Sequence, residues 1–569
     1  MFDNTLKLTK FMLKRERTTS TAWILTMVIL NFLILLLMGV TLMPEASDMA
    51  EFMLMMENPV MLAMVGPLYS GDATTMGALY TLMMFVFMGI AVGIMNIFLV
   101  VRHTRADEEL GRYEVLRSLP CGRLASVNAA MITAVVVNAV MAVLFALSMW
   151  LGAHIIGDPM GFEAALLWGV GLAAVGLAFG GVAAFFSQLS SSSRGALSYS
   201  FLTMGLFYLL RAGADMDPDA LGFLAFLSPL GLMSRTWVYI NNIWWPVLVI
   251  LGYAGGFTAL AYWLCGVRDI DQGIIPARPG KAHGGFLLRS ALGLNGRLLR
   301  TSIIGWVVIL FVTGLSYSAV LQDIDNFVAG NDMYRQLMLG PTGLLDYIQV
   351  EGMTTEQIAA QINAVLNTAG LSIVQLFANM IGFVMAMIAT VPVILFVLKA
   401  KSEEKNGRAE LIFATPTSRV KYLVGLVAIA FVSAALIQAA QAMGLYLPAS
   451  AALDNPADLP LRFVLESALV YVPAMLVMGG IATLLVGLLP RCTGLIWAYY
   501  AFAFFVMLFG RMMTQTAWLA NFTPFGWVPQ LPMDEINWPV MVVLKLIGLG
   551  LAALGIYFYS KRDINAVTQ

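Results

Sequence analysis

Charge is what this sequence has least of. Only 11% of its 569 residues are Asp, Glu, Lys or Arg, and 60% are hydrophobic. Mean hydropathy is +0.83. A soluble domain carries about 25% charged residues, so the composition excludes an ordinary water-soluble globule and predicts an integral membrane protein. Cysteine and histidine are nearly as scarce, with three of each. Cys121, Cys265 and Cys492 give no disulfide framework. His103, His154 and His283 are too far apart in sequence to suggest a metal cluster. The phosphate-cradling Gly-x-x-x-x-Gly-Lys-Ser/Thr string is missing. Its nearest approach, Pro279-Gly280-Lys281-Ala282, lacks the first glycine and the hydroxyl. A Gly-x-Ser-x-Gly nucleophile motif is missing too. No enzymatic chemistry, cofactor, metal or nucleic-acid partner is therefore expected of this chain.

Apolar runs are abundant. Twelve reach or approach the ~20 residues that cross the hydrocarbon layer as a helix. They lie near 22–43, 76–101, 124–150, 162–187, 196–211, 244–266, 303–321, 372–398, 422–447, 465–489, 495–512 and 539–559. Residues 2–17 and 286–300 mix Lys and Arg with apolar residues, as interfacial helices do. The expected fold is all-α and polytopic. A six-span half occupies 1–275, a linker with an interfacial helix 276–300, and a second six-span half 301–569. The second half has the larger external segment, 322–371, where Thr354 and Gln357 fit a capping box. If spans alternate from an internal N-terminus, one set of loops holds 26 of the 32 Lys and Arg. Basic residues stay on the cytoplasmic side, so both termini are expected there.

The two halves repeat. Arg105 to Arg123 aligns without a gap on Lys401 to Arg419, at an offset of 296 residues, with six of nineteen positions identical. The identities are Glu108/Glu404, Gly111/Gly407, Arg112/Arg408, Glu114/Glu410, Pro120/Pro416 and Arg123/Arg419. Shorter echoes recur at matched places: Ser228-Pro-Leu-Gly with Thr523-Pro-Phe-Gly, Gly66-Pro67 with Gly340-Pro341, and Arg268-Asp-Ile with Arg562-Asp-Ile. This is a parallel repeat. A solvated loop that only fixes topology would not need such a match.

Acidic residues, Gly-Arg-x-Glu, a short apolar run and Pro-x-x-Arg stand between the second and third spans of each six-span unit. This pattern resembles the coupling-helix region of ABC-2 type exporter permeases. Two fused units resemble the tetronasin and polyketide-antibiotic permeases of that class. The resemblance implies coupling helices at about 105–121 and 401–417. These would dock two copies of a separate cytoplasmic ABC ATPase, which would hold ATP and Mg. The implied contact residues are Asp107, Glu108, Gly111, Arg112, Glu114, Pro120 and Arg123. In the second half they are Glu403, Glu404, Gly407, Arg408, Glu410, Pro416 and Arg419. Asn406 for Leu110 and Phe413 for Arg117 make the two contacts unequal. The cargo implied is a small amphipathic or hydrophobic molecule leaving through a bacterial plasma membrane, with lipid around the spans.

Other residues have two readings each. Arg211 and Arg511 are either outer-gate residues or arginines snorkelling to the interface. Met84, Met88 and Met95 either line an adaptable cargo path or simply pack. Asn96 and Asn379 either meet cargo or join helices. The alternatives to an exporter subunit are an ion-coupled secondary transporter and a non-transporting ATPase partner or sensor. The first would need mid-membrane charges, and only Lys545 lies clearly inside a span.

Overall fold

The apolar runs become helices because in hydrocarbon every backbone polar group must be satisfied within its own segment. The computed structural model describes the chain except residues 40–61, 63–64, 68–74, 119, 158–160, 270–271, 276–282, 453–458, 510–513, 564–569 and scattered positions between 284 and 352. Helices dominate the described residues, and no strand occurs among them. Two compact units divide the chain, Met1–Gly280 and Lys281–Gln569.

The first unit contains α1 (Thr5–Leu37), α2 (Met76–His103), α3 (Arg105–Glu109), α4 (Arg112–Arg117), α5 (Ala125–Ile156), α6 (Phe162–Leu189), α7 (Ser193–Met216) and α8 (Trp245–Val267). At its centre lies α6, packed against α2, α5 and α8. Glycines on α6 set these distances. A Cβ on Gly169 would meet the Ala142 carbonyl of α5, and one on Gly181 the Ala254 carbonyl of α8. Small residues let membrane helices approach this closely. Trp168 on α6 is fully buried and stacks on Phe85 of α2, with centroids 4.5 Å apart.

The second unit contains α9 (Ala291–Ser318), α10 (Thr355–Thr368), α11 (Ile373–Lys405), α12 (Arg408–Phe413), α13 (Arg419–Ala452), α14 (Leu461–Leu469), α15 (Val472–Leu488), α16 (Leu495–Phe509) and α17 (Trp538–Lys561). Its closest pairings are α9 with α13 and α15 with α17. Gly487 and Gly555 let the latter two backbones nearly touch. The capping box is present, with Thr354 and Gln357 bonded reciprocally at the start of α10.

The structure departs from the expectations at four places. Among the described residues, ten helices are long and apolar enough to cross a membrane, against twelve expected spans. The described part of the fifth span of each half falls short of that length or apolarity. Ser193–Met216 carries Arg194, Arg211 and Asp215, and Leu495–Phe509 has 15 residues. The N-terminal interfacial segment and the first span form one 33-residue helix, because neither Pro nor Gly separates them. Likewise Ala291–Ser318 joins the end of the second interfacial segment to span seven. The tenth span is broken at Val470–Tyr471, where Pro473 opens α15.

Candidate functional site: two clamped elbows

The repeated islands do not form single helices over 105–121 and 401–417. Each folds into an elbow with a glycine at the bend. Gly111 and Gly407 both have φ +70°, a left-handed conformation that costs other residues free energy. Before the first bend lies α3, and after it α4. In the second half α11 runs unbroken to Lys405, and α12 follows the bend. Pro120 and Pro416 lie exposed beyond these short helices.

The acidic residues before each bend turn inward. Asp107, Glu108, Glu403 and Glu404 are all buried, with no more than 5% exposure. Arg112, just past the first bend, reaches back to Asp107 at 2.9 Å, and Arg15 of α1 reaches it at 2.8 Å. In the second half Arg408 reaches back to Glu403 at 2.9 Å, with Lys399 on the same carboxylate at 2.8 Å. The Arg of the Gly-Arg pair thus closes the elbow onto its own acidic residue in both halves.

Glu108 and Glu404 make a longer connection, to the end of the last helix of their half. Arg268, just past α8, donates to both Glu108 oxygens at 2.7 and 2.6 Å. Arg562, just past α17, donates to both Glu404 oxygens at 2.7 and 2.6 Å. Burial opposes the charge on Arg268. The hydrogen bond and attraction from Glu108 outweigh that cost and raise its pKa above the ordinary arginine value. Arg123 donates to the carbonyls of Cys265 and Arg268 at 3.0 and 2.7 Å, and Arg419 to the Arg562 carbonyl at 2.7 Å. A cation at a helix C-terminus satisfies carbonyls left without helical partners.

The first basic residue of each island reaches a turn between two later helices, α6 and α7 in the first half and α15 and α16 in the second. Arg105 donates to the Ser191 carbonyl at 2.6 Å, and Lys401 to the Thr493 hydroxyl at 2.7 Å. In the first half Glu109 also accepts from the Ser193 backbone at the start of α7. Buried His103 lies between α1 and the elbow. Its Nδ1 is 2.9 Å from Arg15 and its Nε2 is 3.1 Å from Glu16. The matching position in the second half is Lys399.

At each elbow, one edge stays exposed. Glu114 and Glu410 are exposed. Leu110 and Leu411 are 63% and 73% exposed. The fourteen island residues therefore divide by placement: the first acids and the four arginines hold the elbow, while Glu114, Glu410, Pro120 and Pro416 face outward.

The remaining sequence candidates are already engaged. Asn96 of α2 and Asn138 of α5 exchange amide hydrogen bonds of 2.6 and 3.1 Å in the core. Asn379 accepts from the Tyr471 hydroxyl at 3.5 Å. Met88 and Met95 are buried and Met84 is half-buried, in one apolar cluster. Arg211 does not snorkel. It is fully buried and donates to Asp215 and, at 2.9 Å, to the Leu62 carbonyl. Arg235 takes the other Asp215 oxygen at 2.7 Å. Arg511 and Gly340-Pro341 lie outside the described residues, as does most of 322–352. Sequence reasoning missed Arg268 and Arg562 as partners of the elbows, and with them Arg15, His103, Arg105, Lys399 and Lys401. A signal existed for Arg268 and Arg562: they, and the acids they bind, recur at matched places in both halves.

An all-α, multi-pass membrane protein with one clamped elbow in each of two repeated units is the class this fold defines. The chain is similar to the multidrug efflux system permease protein Rv1217c of Mycobacterium tuberculosis, with 28% identity over 567 residues, 99% of this chain and 96% of that protein. Residues 288–371 and 347–560 match the family described as multidrug efflux system permease Rv1217c, C-terminal domain.

Proposed function

We propose that this chain is the membrane permease subunit of an ATP-driven exporter. It moves an amphipathic or hydrophobic drug-like molecule outward, in a bacterial plasma membrane with both termini cytoplasmic. Two copies of a separate ATPase engage the elbows and carry ATP and Mg. The carrying observation is the pair of elbows, each held by buried ion pairs and each presenting an exposed Glu and Leu. The similarity to a multidrug efflux permease over 99% of the chain supports the cargo class. A stiff elbow can pass ATPase closure to attached helices as rigid-body motion. Polar contacts at its rim would set register with the partner.

The test is reconstitution with a separate ABC ATPase subunit, the first candidate being any lone ATP-binding cassette encoded in a neighbouring gene. The double variant E114R/E410R is expected to insert normally and lose ATPase assembly or ATP-driven efflux. Unaltered assembly and efflux would overturn the docking role. Transport driven by an ion gradient without ATP would indicate a secondary transporter. ATPase binding with no cargo moved would indicate a sensor.

A further inference from the structure

We infer that Arg268 and Arg562 are positioning residues that tie each elbow to the last helix of its half, so that an elbow displaced by a partner moves that helix too. The inference rests on the exporter reading and adds the route of transmission.

The helices on either side of the first bend have five and six residues, and such short helices do not hold their shape alone. Gly111 and Gly407 have nothing within 4 Å of where a Cβ would lie, so neighbours do not brace the bends there. Bracing comes from side chains. In each half a carboxylate immediately before the bend takes two hydrogen bonds from an arginine just past the last helix. In each half another arginine, opening the third span, donates to carbonyls at that same helix end. The elbow and the end of α8, or of α17, are thus joined from both sides. Glu108 and Arg268 are 160 residues apart in sequence, and Glu404 and Arg562 are 158 apart. The pairing is therefore a choice of the fold, made twice. A partner pushing on exposed Glu114 or Glu410 would load this joint before it loaded the bilayer-facing helices.

The two joints differ in reserve. Arg268 also donates to Gln188 at 2.8 Å and to the Gln272 carbonyl at 2.9 Å. Among the described residues, the side chain of Arg562 has Glu404 as its hydrogen-bond partner, while its guanidinium lies 4.9 Å from the Tyr559 ring centroid.

The full chain in nanodiscs, with and without its ATPase, tests this. Variants are E108R, R268E and the swapped pair E108R/R268E, with E108Q and R268Q as milder forms. Amide exchange is read over 105–117 and 253–267, and drug molecules exported per ATP are read with the ATPase present. Each single variant should speed exchange in both segments by about tenfold or more and lower the efflux-to-hydrolysis ratio. The swapped pair should restore both. Exchange left unchanged by the single variants would overturn the joint. Exchange that rises while drug exported per ATP stays constant would overturn the transmission role and leave a structural brace. If the unaltered chain exports nothing with ATP, the exporter reading falls and the transmission role with it, and the exchange arm still decides whether the joint exists.

Discussion

Glu404 accepts two hydrogen bonds from a single guanidinium nitrogen of Arg562, at 2.7 and 2.6 Å, and this contact anchors the second elbow to the last helix. Glu108 accepts one from each of two nitrogens of Arg268, which has further partners in Gln188 and the Gln272 carbonyl. Removing one member of a buried pair leaves the other charged and uncompensated, at a cost of about 3–5 kcal/mol. Glu404→Gln should therefore loosen its elbow more than Glu108→Gln loosens the first. Amide exchange across 403–413 against 107–117 measures the difference.

Asp215 lies between Arg211 and Arg235 and is fully buried. Asp215→Asn removes the only acid of this triad and leaves two cations facing each other. We expect a loss of about 3–5 kcal/mol, seen as a large drop in folded yield and in thermal stability in detergent. Arg235→Gln should cost less, because its side chain is 16% exposed.

The Asn96–Asn138 exchange of hydrogen bonds joins α2 to α5. Either residue changed to Ala should cost about 0.5–2 kcal/mol, the span of values for hydrogen bonds between membrane helices. The double variant should cost clearly less than the sum of the two. A double-mutant cycle on melting temperature checks this. A change in the range of exported drugs with unchanged stability would instead favour the cargo-path reading of Asn96.

Gly487 and Gly555 lie where α15 and α17 approach closest. Gly487→Ala would place a Cβ about 2.0 Å from the Gly555 carbonyl, so the helices must part. Overpacking of this kind costs about 1–3 kcal/mol. Gly550→Ala, which meets nothing within 4 Å, is the control and should be near neutral. Thermal unfolding of the two variants side by side gives the comparison.

Gly111→Ala and Gly407→Ala test the bends. Open space surrounds both positions, so any loss comes from the left-handed backbone, at about 1–2 kcal/mol. Asparagine tolerates that conformation better, so Gly→Asn should be milder at both. Exchange rates of the elbow amides in the two substitutions provide the measurement.

The sequence by itself determined a membrane protein, its helical class and the repeat. Hydrocarbon admits few backbone solutions, and a run of apolar residues long enough to cross it states which one is used. The same logic counted 196–211 as a span and did not show that its helix runs on to Met216 with a buried Arg211–Asp215 pair near its end. Legible too was the importance of the island charges, since Glu108, Arg112 and Arg123 recur at Glu404, Arg408 and Arg419. What they touch was not legible. Only the tertiary structure decided that Glu108 turns inward to Arg268 while Glu114 stays exposed, and that Asn96 spends its amide on Asn138. Each of those outcomes depends on which helix packs beside which, and a charge 160 residues away in the chain becomes a partner only once folding has brought it within 3 Å.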